Sequence, residues 1–559
     1  MMTNQEVARV LRQIADILQI KDDNPFKVKA YRKAADAIYH FDEDINVLQQ
    51  TGRINEIPGV GRAVQEKVEE LLQTGALAYH ERLLQEVPVG VLNMLRLPGL
   101  GPRTVRTIHE QLGIASPDEL LLAAREHRLR GLPGVGEKTE LAIIKGIEEG
   151  QQNRGKVTLG EALPLAESLL RFLLNASPVL DGSIVGSIRR GKPLVSDIDI
   201  LLATRQPDKL LPIVREYPGI RTITDIEPGH IKGQLSGEID FELILVDPEY
   251  YYFLLVRATG SKAHRDIIFH EQLPEHFIKA GNEAEIYQRL GLSLIPPELR
   301  ENRGEIELAR RGELPQLLSM ADIKGDLHVH STWSDGVEGI GEMAKAAHAL
   351  GYQYIAVTDH SKSLSISGGL NEERLLLQAK EIESLEQKLP IAILKGIEVD
   401  IMKDGSLDFA DEVLAGLDLV IASVHSYFKL DKNGQTERII KAIQNPHVDI
   451  IGHLSGRLLN RRPAYELDIK RIIEAAAHYQ TALEINAHPD RLDIDEETAR
   501  LAREYGVKIA INSDAHHRVD LSLMRYGVMN ARRGWLEKED VINTWSKERL
   551  LNYLSSRHD

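Results

Sequence analysis

The 559-residue chain reads as a multidomain protein with an α-helical amino-terminal region, an α+β middle and a carboxy-terminal α/β barrel. Three observations predict this. A Pro-Gly-x-Gly turn recurs three times between helical patterns in the first 150 residues. A strand-like stretch then carries Asp197-Ile-Asp199. Beyond residue 324, seven apolar runs each end in a metal-ligand or similar polar residue, and helical patterns lie between them. A hydrophobic content of 43% with 27% charged residues fits a globular protein, and no apolar run is long enough to cross a membrane. No export signal is legible at Met1-Met2-Thr3-Asn4, so a cytoplasmic location is the expectation, and a monomer the expected assembly. Zero Cys excludes disulfides, thiolate metal sites and a Cys nucleophile, so a zinc-like site must use His and carboxylates. The net charge of −16 argues against a generic polyanion-binding surface. Backbone N–H groups and helix N-termini hold phosphates without net positive charge, so nucleic acid stays open as a partner.

The three turns are Ile57-Pro-Gly59-Val-Gly61-Arg62, Leu97-Pro-Gly99-Leu-Gly101-Pro-Arg103 and Leu132-Pro-Gly134-Val-Gly136-Glu-Lys138. Helical patterns follow each, over Val64–Leu72, Thr104–Leu112 and Thr139–Ile147. Pro and Gly set a tight turn, the paired glycines permit close backbone approach, and the next helix opens its free N–H groups beside it. This is the pattern of a helix-hairpin-helix that binds the DNA backbone without reading sequence. A dinucleotide-binding reading fails, because no apolar strand precedes the glycines and the third Gly is missing. Upstream, Asn24-Pro-Phe-Lys27-Val-Lys29-Ala-Tyr31-Arg32-Lys33 suits a 5′-phosphate or is simply a solvated helix face. Lys67 is either an amine placed for a Schiff base with an abasic sugar or an ordinary surface Lys.

In the middle, Gly186-Ser187-Ile-Arg189-Arg190-Gly191 precedes Ser196-Asp197-Ile-Asp199-Ile. Positions two apart on a strand share a face, so Asp197 and Asp199 point the same way and repel unless cations lie between them. Divalent ions bridging a nucleoside triphosphate are such cations. The Gly186-Ser187 turn offers donors to phosphate, Arg190 adds charge, and Asp240 in Ile239-Asp-Phe-Glu242 is the expected third carboxylate.

The seven runs of the last third end at Asp326-Leu-His328-Val-His330 with Asp335, Asp359-His360, Glu398, His425, His453, Glu484-Ile-Asn486 and Asp514-Ala-His516. Strand-like stretches such as Tyr354–Val357, Leu419–Ala422 and Lys508–Ile511 precede them, and helical patterns over Gly339–Leu350, Glu372–Leu389 and Glu496–Tyr505 separate them. Strand, ligand, helix, strand is the order of a barrel that gathers its site at the C-terminal face. The chemistry this predicts is hydrolysis at a metal cluster.

These motifs, with Asn24-Pro-Phe-Lys27, Thr259-Gly-Ser-Lys262, Ile295-Pro-Pro-Glu-Leu-Arg300 and His453-Leu-Ser-Gly-Arg457, cover nearly the whole chain. On them the chain resembles the bacterial and archaeal family X DNA polymerases that carry a carboxy-terminal polymerase-and-histidinol-phosphatase (PHP) domain. The resemblance implies a lyase-like helical domain at 1–90, a fingers-like helix-hairpin-helix domain at 91–152, a nucleotidyltransferase palm at 153–247, a shortened thumb at 248–314 and a distorted seven-stranded TIM-like PHP barrel at 324–559. It implies Asp197, Asp199 and Asp240 as palm ligands for Mg²⁺ or Mn²⁺, Ser187 and Arg190 as triphosphate contacts, and Lys67 at the lyase nucleophile position. It implies nine PHP ligands for two or three Zn²⁺ or Mn²⁺ ions: His328, His330, Asp335, His360, Glu398, His425, His453, Asp514 and His516. Asp359 is expected to orient His360 without ligating, and His348, His447, His478 and His517 to be surface or packing residues. Implied partners are gapped, nicked or 3′-ended DNA and deoxynucleoside triphosphates. The implied activity is gap-filling synthesis with 3′–5′ exonuclease action in DNA repair.

Four residues depart from the family pattern. Arg257-Ala258 stand where Tyr-Phe precedes Thr-Gly-Ser, Arg265 replaces an Asn, and Glu242 occupies a position where Arg is common. The alternative they raise is a PHP nuclease or phosphoesterase whose weak or inactive palm serves to bind DNA.

Overall fold

A computed structural model describes residues 2, 4–39, 41, 43–95, 97, 100–152, 155–235, 239–270 and 278–556. The amino-terminal region is helical, and one hydrophobic core runs through it from Val7 to Ile147. The expected division near residue 90 therefore separates motifs and not two cores. The helices after the three turns are Arg62–Thr74, Pro102–Leu112 and Glu137–Gln152, each starting two residues ahead of its apolar pattern. Gly61 and Gly101 cap the first two in extended conformation, and Pro102 takes a first-turn position that needs no donor. Gly59 adopts φ +87°, and a Cβ there would press on the Lys33 side chain at 3.0 Å. Gly134 repeats the left-handed turn with φ +84°, and Gly136 directly precedes the third helix. Gly99 lies outside the described residues.

Among the described residues, seven strands build the middle. They are β1 (Val157–Thr158), β2 (Val179–Ile184), β3 (Leu194–Val195), β4 (Asp197–Thr204), β5 (Ile220–Glu227), β6 (His230–Leu235) and β7 (Asp240–Val246). β1 pairs with β3, and the other five form a sheet in the order β2-β4-β7-β6-β5. β4 and β7 are its parallel neighbours, with Asp197 opposite Asp240 and Asp199 opposite Glu242. Apolar residues of β4 and β7 pack on the helix Leu159–Leu174, and Leu492 and Tyr526 of the barrel region join that core. The thumb-like helices Tyr251–Thr259, Lys262–His270 and Glu283–Arg289 form a further core that includes the barrel's Trp535. The segment expected to be short, His264 to Glu285, contains residues 271–277, which lie outside the described residues.

The last third is a barrel of β8 (Gly325–Val329), β9 (Tyr354–Val357), β10 (Ala392–Asp400), β11 (Leu419–Ser423), β12 (Ile450–Ile451), β13 (Ala482–Asn486) and β14 (Ile509–Asn512). All neighbours are parallel in sequential order, and Val329 bridges Ala515 to bring the two edges together. Alternation decides the layers. Tyr354 and Ala356 belong with the interior cluster of Leu327, Leu394, Leu419 and Ile450, which Trp545 and Leu550 of the carboxy-terminal segment join. Ile355 and Val357 belong to the larger cluster shared with the helices. The strand expected at Lys508–Ile511 sits one residue later, and the seven-strand expectation agrees with the structure.

Candidate metal centres

All nine expected barrel ligands converge at the C-terminal strand ends. Three ligand groups have their donor atoms within 4.8 Å of one another: His330, Asp335, His360 and His516; His328, His330 and Asp514; and His360, Glu398 and His425. His330 and His360 are each shared by two groups. His453 joins through Glu398, its Nε2 standing 3.0 Å from Oε1. Glu398 is the hub. Its Oε2 lies 2.8 Å from His360, 3.4 Å from His328 and 3.7 Å from His330, while Oε1 lies 3.4 Å from His425. One carboxylate facing imidazoles with both oxygens is suited to lie between neighbouring cations.

The donor set fits metal ions. His328 Nε2, His330 Nδ1 and His453 Nδ1 are buried with no hydrogen-bond partner, and His360 Nδ1 and Glu398 Oε2 meet each other at 2.8 Å but outside hydrogen-bond geometry. Buried polar atoms rarely go unpaired, and a ligand site accounts for them. The opposite ring nitrogens are held in place: His328 Nδ1 meets Glu484 Oε1 at 2.7 Å, and His425 Nδ1 meets Asp400 Oδ1 at 2.5 Å. These contacts fix the tautomers that leave Nε2 available to a cation. Glu484 also accepts from the His453 backbone N–H at 2.8 Å and from Asn512, while Asn486 donates to Asp514 Oδ2 at 2.9 Å. His453 and Asp514 have positive φ, +25° and +55°, conformations that this surrounding network sustains.

Asp359 belongs to none of the three ligand groups, and it does not orient His360 as expected. Its carboxylate accepts from the N–H and hydroxyl groups of both Ser331 and Ser334 and from Gln378 Nε2. It therefore pins the loop that leads to Asp335, and no hydrogen bond joins it to His360. His348 and His478 are exposed, and His517 caps the short helix Arg518–Leu523. Sequence reasoning missed Asp400, Asp326 and Arg491. Asp326 is fully buried and accepts from Ser513 and the His328 N–H. Arg491 Nε stands 3.9 Å from Asp514 Oδ2, putting a guanidinium at the edge of the cluster.

Burial opposes charge on His360, His425 and His516, yet the neighbouring carboxylates hold their pKa values at about 10, 9 and 9. Burial beside His516 and His360 instead pushes His330 down to about 3. Against burial, Glu484, Asp514 and Glu398 likewise hold His328 well above the usual histidine range. Without metal, these four imidazoles carry protons at neutral pH, and a cation must displace them. Metal loading is thus expected to release about four protons near pH 7 and to tighten as pH rises toward 9. Calorimetry in buffers of different ionisation enthalpy checks this; loading that releases no proton contradicts it.

In the palm, Asp197 and Asp199 share a face of β4, and register sets Asp240 and Glu242 beside them on β7. Burial and the Asp197 and Glu242 charges raise the Asp199 pKa to about 7, while Arg190 and Arg265 pull it down. Burial, Glu242 and Asp240 raise Asp197 as well. Such a crowded quartet fits divalent cations. Glu242 is tied to the next strand, 2.8 Å from His230 Nδ1 and 3.6 Å from Lys232 Nζ. Gly186 has φ +62°, and a Cβ there would collide with Asp199 Oδ2, so the turn lies directly on the carboxylate. Ser187 Oγ is buried without a partner, as a phosphate-binding hydroxyl would be.

Arg190 does not extend freely toward a triphosphate. Its Nε donates to Glu301 at 2.9 Å and its Nη1 to the Thr259 carbonyl at 2.8 Å, so the guanidinium braces the turn from the thumb side. Lys67 Nζ bonds the Ala63 carbonyl at 3.0 Å and lies 5.3 Å from the Tyr79 ring, which stacks on Tyr31. On the helix Pro25–Tyr39, Lys29, Arg32, Lys33 and Asp36 line one side of a cavity of about 1530 Å³. The barrel rim, Glu338 and His516, lines it as well, so the amino-terminal helices open onto the edge of the metal centre.

Three family descriptions match: helix-hairpin-helix domain at residues 2–77, SAM-like helix-hairpin-helix tandem at 91–149 and PHP domain at 326–488. The barrel region is 35% identical over 231 residues to a probable phosphatase of Thermoanaerobacter sp., spanning 39% of this chain and 89% of that protein. It is 28% identical over 243 residues to the probable phosphatase YcdX of Escherichia coli, spanning 42% and 94%. Over 565 residues, 98% of both chains, the protein is 38% identical to the DNA polymerase/3'-5' exonuclease PolX of Bacillus subtilis. With hairpins, palm carboxylates and barrel ligands each in place along that length, the chain belongs to the family X DNA polymerases that carry a carboxy-terminal PHP domain.

Proposed function

We propose that this chain is a DNA repair enzyme that fills gaps in its palm and hydrolyses DNA 3′ ends in its PHP barrel. The observation that carries the reading is two separate clusters of ligand-type side chains, the carboxylates facing each other across β4 and β7 beside the buried, unpartnered Ser187 Oγ, and the Glu398–histidine cluster of the barrel. In the palm, Asp197, Asp199 and Asp240 would hold Mg²⁺ or Mn²⁺, which would stabilise the charge that develops as the nucleotide is added. The primer 3′-hydroxyl displaces pyrophosphate from the α-phosphorus, and its proton leaves to solvent. Ser187 Oγ donates to the triphosphate, and Gly186 sets the turn close enough to Asp199 for both to meet one substrate.

In the barrel, the nine ligands hold two or three Mn²⁺ or Zn²⁺ ions, for which imidazole and carboxylate donors are suited. Bound there, the ions supply Lewis acidity at phosphorus and lower the pKa of water. Glu484 and Asp400 keep His328 and His425 aimed at the cluster, and Arg491 pairs with a non-bridging phosphate oxygen. The cavity beside Lys29 and Lys33 brings DNA held by the amino-terminal helices to the His516 side of this centre. Gly59, Gly61, Gly99, Gly101, Gly134 and Gly136 mark the backbone-binding turns, and Lys67 is the candidate lyase amine. The chain works as a cytoplasmic monomer on gapped or nicked DNA, its functional divisions lying near residues 90, 152, 247 and 324.

A second reading, a nuclease with an impaired palm, is favoured by Arg265, whose charge reaches Asp199. A 5′-labelled primer in a gapped duplex with Mn²⁺ separates the two. The first reading expects extension with nucleotides and shortening without them. Shortening alone favours the second, and neither product contradicts both.

A further inference from the structure

The barrel helix Met524–Arg533 is built as a wall of the palm and thumb. Arg525 pairs with Glu167 of the palm helix at 3.1 Å, Arg532 pairs with Glu298 at 2.7 Å, and Tyr526 lies in the palm core. Arg533 reaches furthest. Its side chain is 1% exposed, and its Nη1 donates to the Arg190 carbonyl at 2.9 Å and to Glu301 Oε1 at 3.1 Å, while Nη2 donates to Glu496 at 2.7 Å. Glu301 Oε1 also receives Arg190 Nε at 2.9 Å, and Lys192 Nζ lies 3.5 Å away. Between them Gly191, at φ +67°, lies against the same helix, where a Cβ would stand 3.3 Å from Met529 and 3.7 Å from the Arg533 side chain. The turn that carries Gly186 and Ser187 is thus held on the Asp199 side by close approach and on the far side by one guanidinium of the PHP domain.

We propose that Arg533 is a positioning residue for nucleotide binding in the palm: it fixes the Arg190 end of the phosphate-binding turn and so couples the palm to the PHP barrel. A buried charge-assisted contact to a backbone carbonyl restricts the turn without touching the substrate. Domain glue alone would bring no selective effect on the triphosphate, because Arg525 and Arg532 already join the same helix to palm and thumb. The inference rests on the palm being a polymerase.

The test uses full-length protein, a gapped primer-template ended in a dideoxynucleotide, and the matching deoxynucleoside triphosphate titrated with Mg²⁺. Arg533→Met is expected to weaken nucleotide binding about tenfold, the scale of one lost charge-assisted hydrogen bond. With an extendable primer, KM for the nucleotide rises by about the same factor while kcat changes less. Arg533→Lys recovers most of the affinity, and single-strand shortening by the PHP site stays at the wild-type rate. Unchanged nucleotide affinity, or parallel loss of extension and shortening, overturns the inference. If Arg533→Met does not fold, Glu301→Gln loosens the same clamp from the thumb side and is judged by the same outcomes. If the wild type itself neither binds nor incorporates nucleotide, the polymerase reading fails instead.

Discussion

Glu398→Gln is expected to lower 3′-end hydrolysis by at least about 1000-fold, equivalent to about 4 kcal/mol of transition-state stabilisation. The size follows from its place in the cluster. It is 1% exposed, and its two oxygens face five imidazoles, those of His328, His330, His360, His425 and His453. Burial works against its charge, yet the surrounding imidazoles hold its carboxyl well below the usual carboxylate range. The amide keeps the volume but removes an anion that lies within reach of members of all three ligand groups. Nucleotide incorporation in the palm is expected to stay at the wild-type rate, because no contact links Glu398 to β4 or β7 among the described residues. Retained hydrolysis in Glu398→Gln, measured on a single-stranded oligonucleotide with Mn²⁺, would show that the cluster does not work as a unit.

Gly186→Ala is expected to lower incorporation by about 100-fold, while PHP hydrolysis is unchanged. A methyl group at this position would strike the Asp199 carboxylate, and φ of +62° is itself unfavourable for Ala. The turn can only retreat, taking Ser187 Oγ with it, and a displacement of about 1 Å in a substrate-positioning group costs on the order of 100-fold. Steady-state extension of a gapped primer checks this. An Ala variant that extends normally would mean that the turn does not set the distance between triphosphate and Asp199.

Much of this architecture is legible in the sequence because its informative residues sit at fixed places in regular elements. The barrel ligands follow apolar runs such as Tyr354–Val357 and are of types that strand ends seldom carry together. Asp197 and Asp199 are legible because a strand repeats every two residues, and Asp240 because its strand begins there. What escaped was set by contacts distant in sequence. Glu484 meets His328 across 156 residues, and Arg533 meets the Arg190 carbonyl across 343. Asp359 misled for a different reason: adjacency to His360 suggests a joint role, whereas alternation along an extended chain turns neighbours to opposite sides. Arg190 looked like a phosphate ligand by type, and only the fold reveals that Glu301 and Thr259 already engage it. Glu242 stood out as a departure where Arg is common, and only the fold reveals His230 Nδ1 and Lys232 Nζ of the adjacent strand beside it.

One chain carries two separate reaction centres, a palm that adds nucleotides and a barrel that removes them. A double dissociation on one labelled gapped primer tests this, with Asp197→Ala and Glu398→Gln each assayed for extension and for shortening. Asp197→Ala is expected to lose extension and keep shortening, while Glu398→Gln does the reverse. Loss of both reactions in either variant, or retention of both, would contradict it.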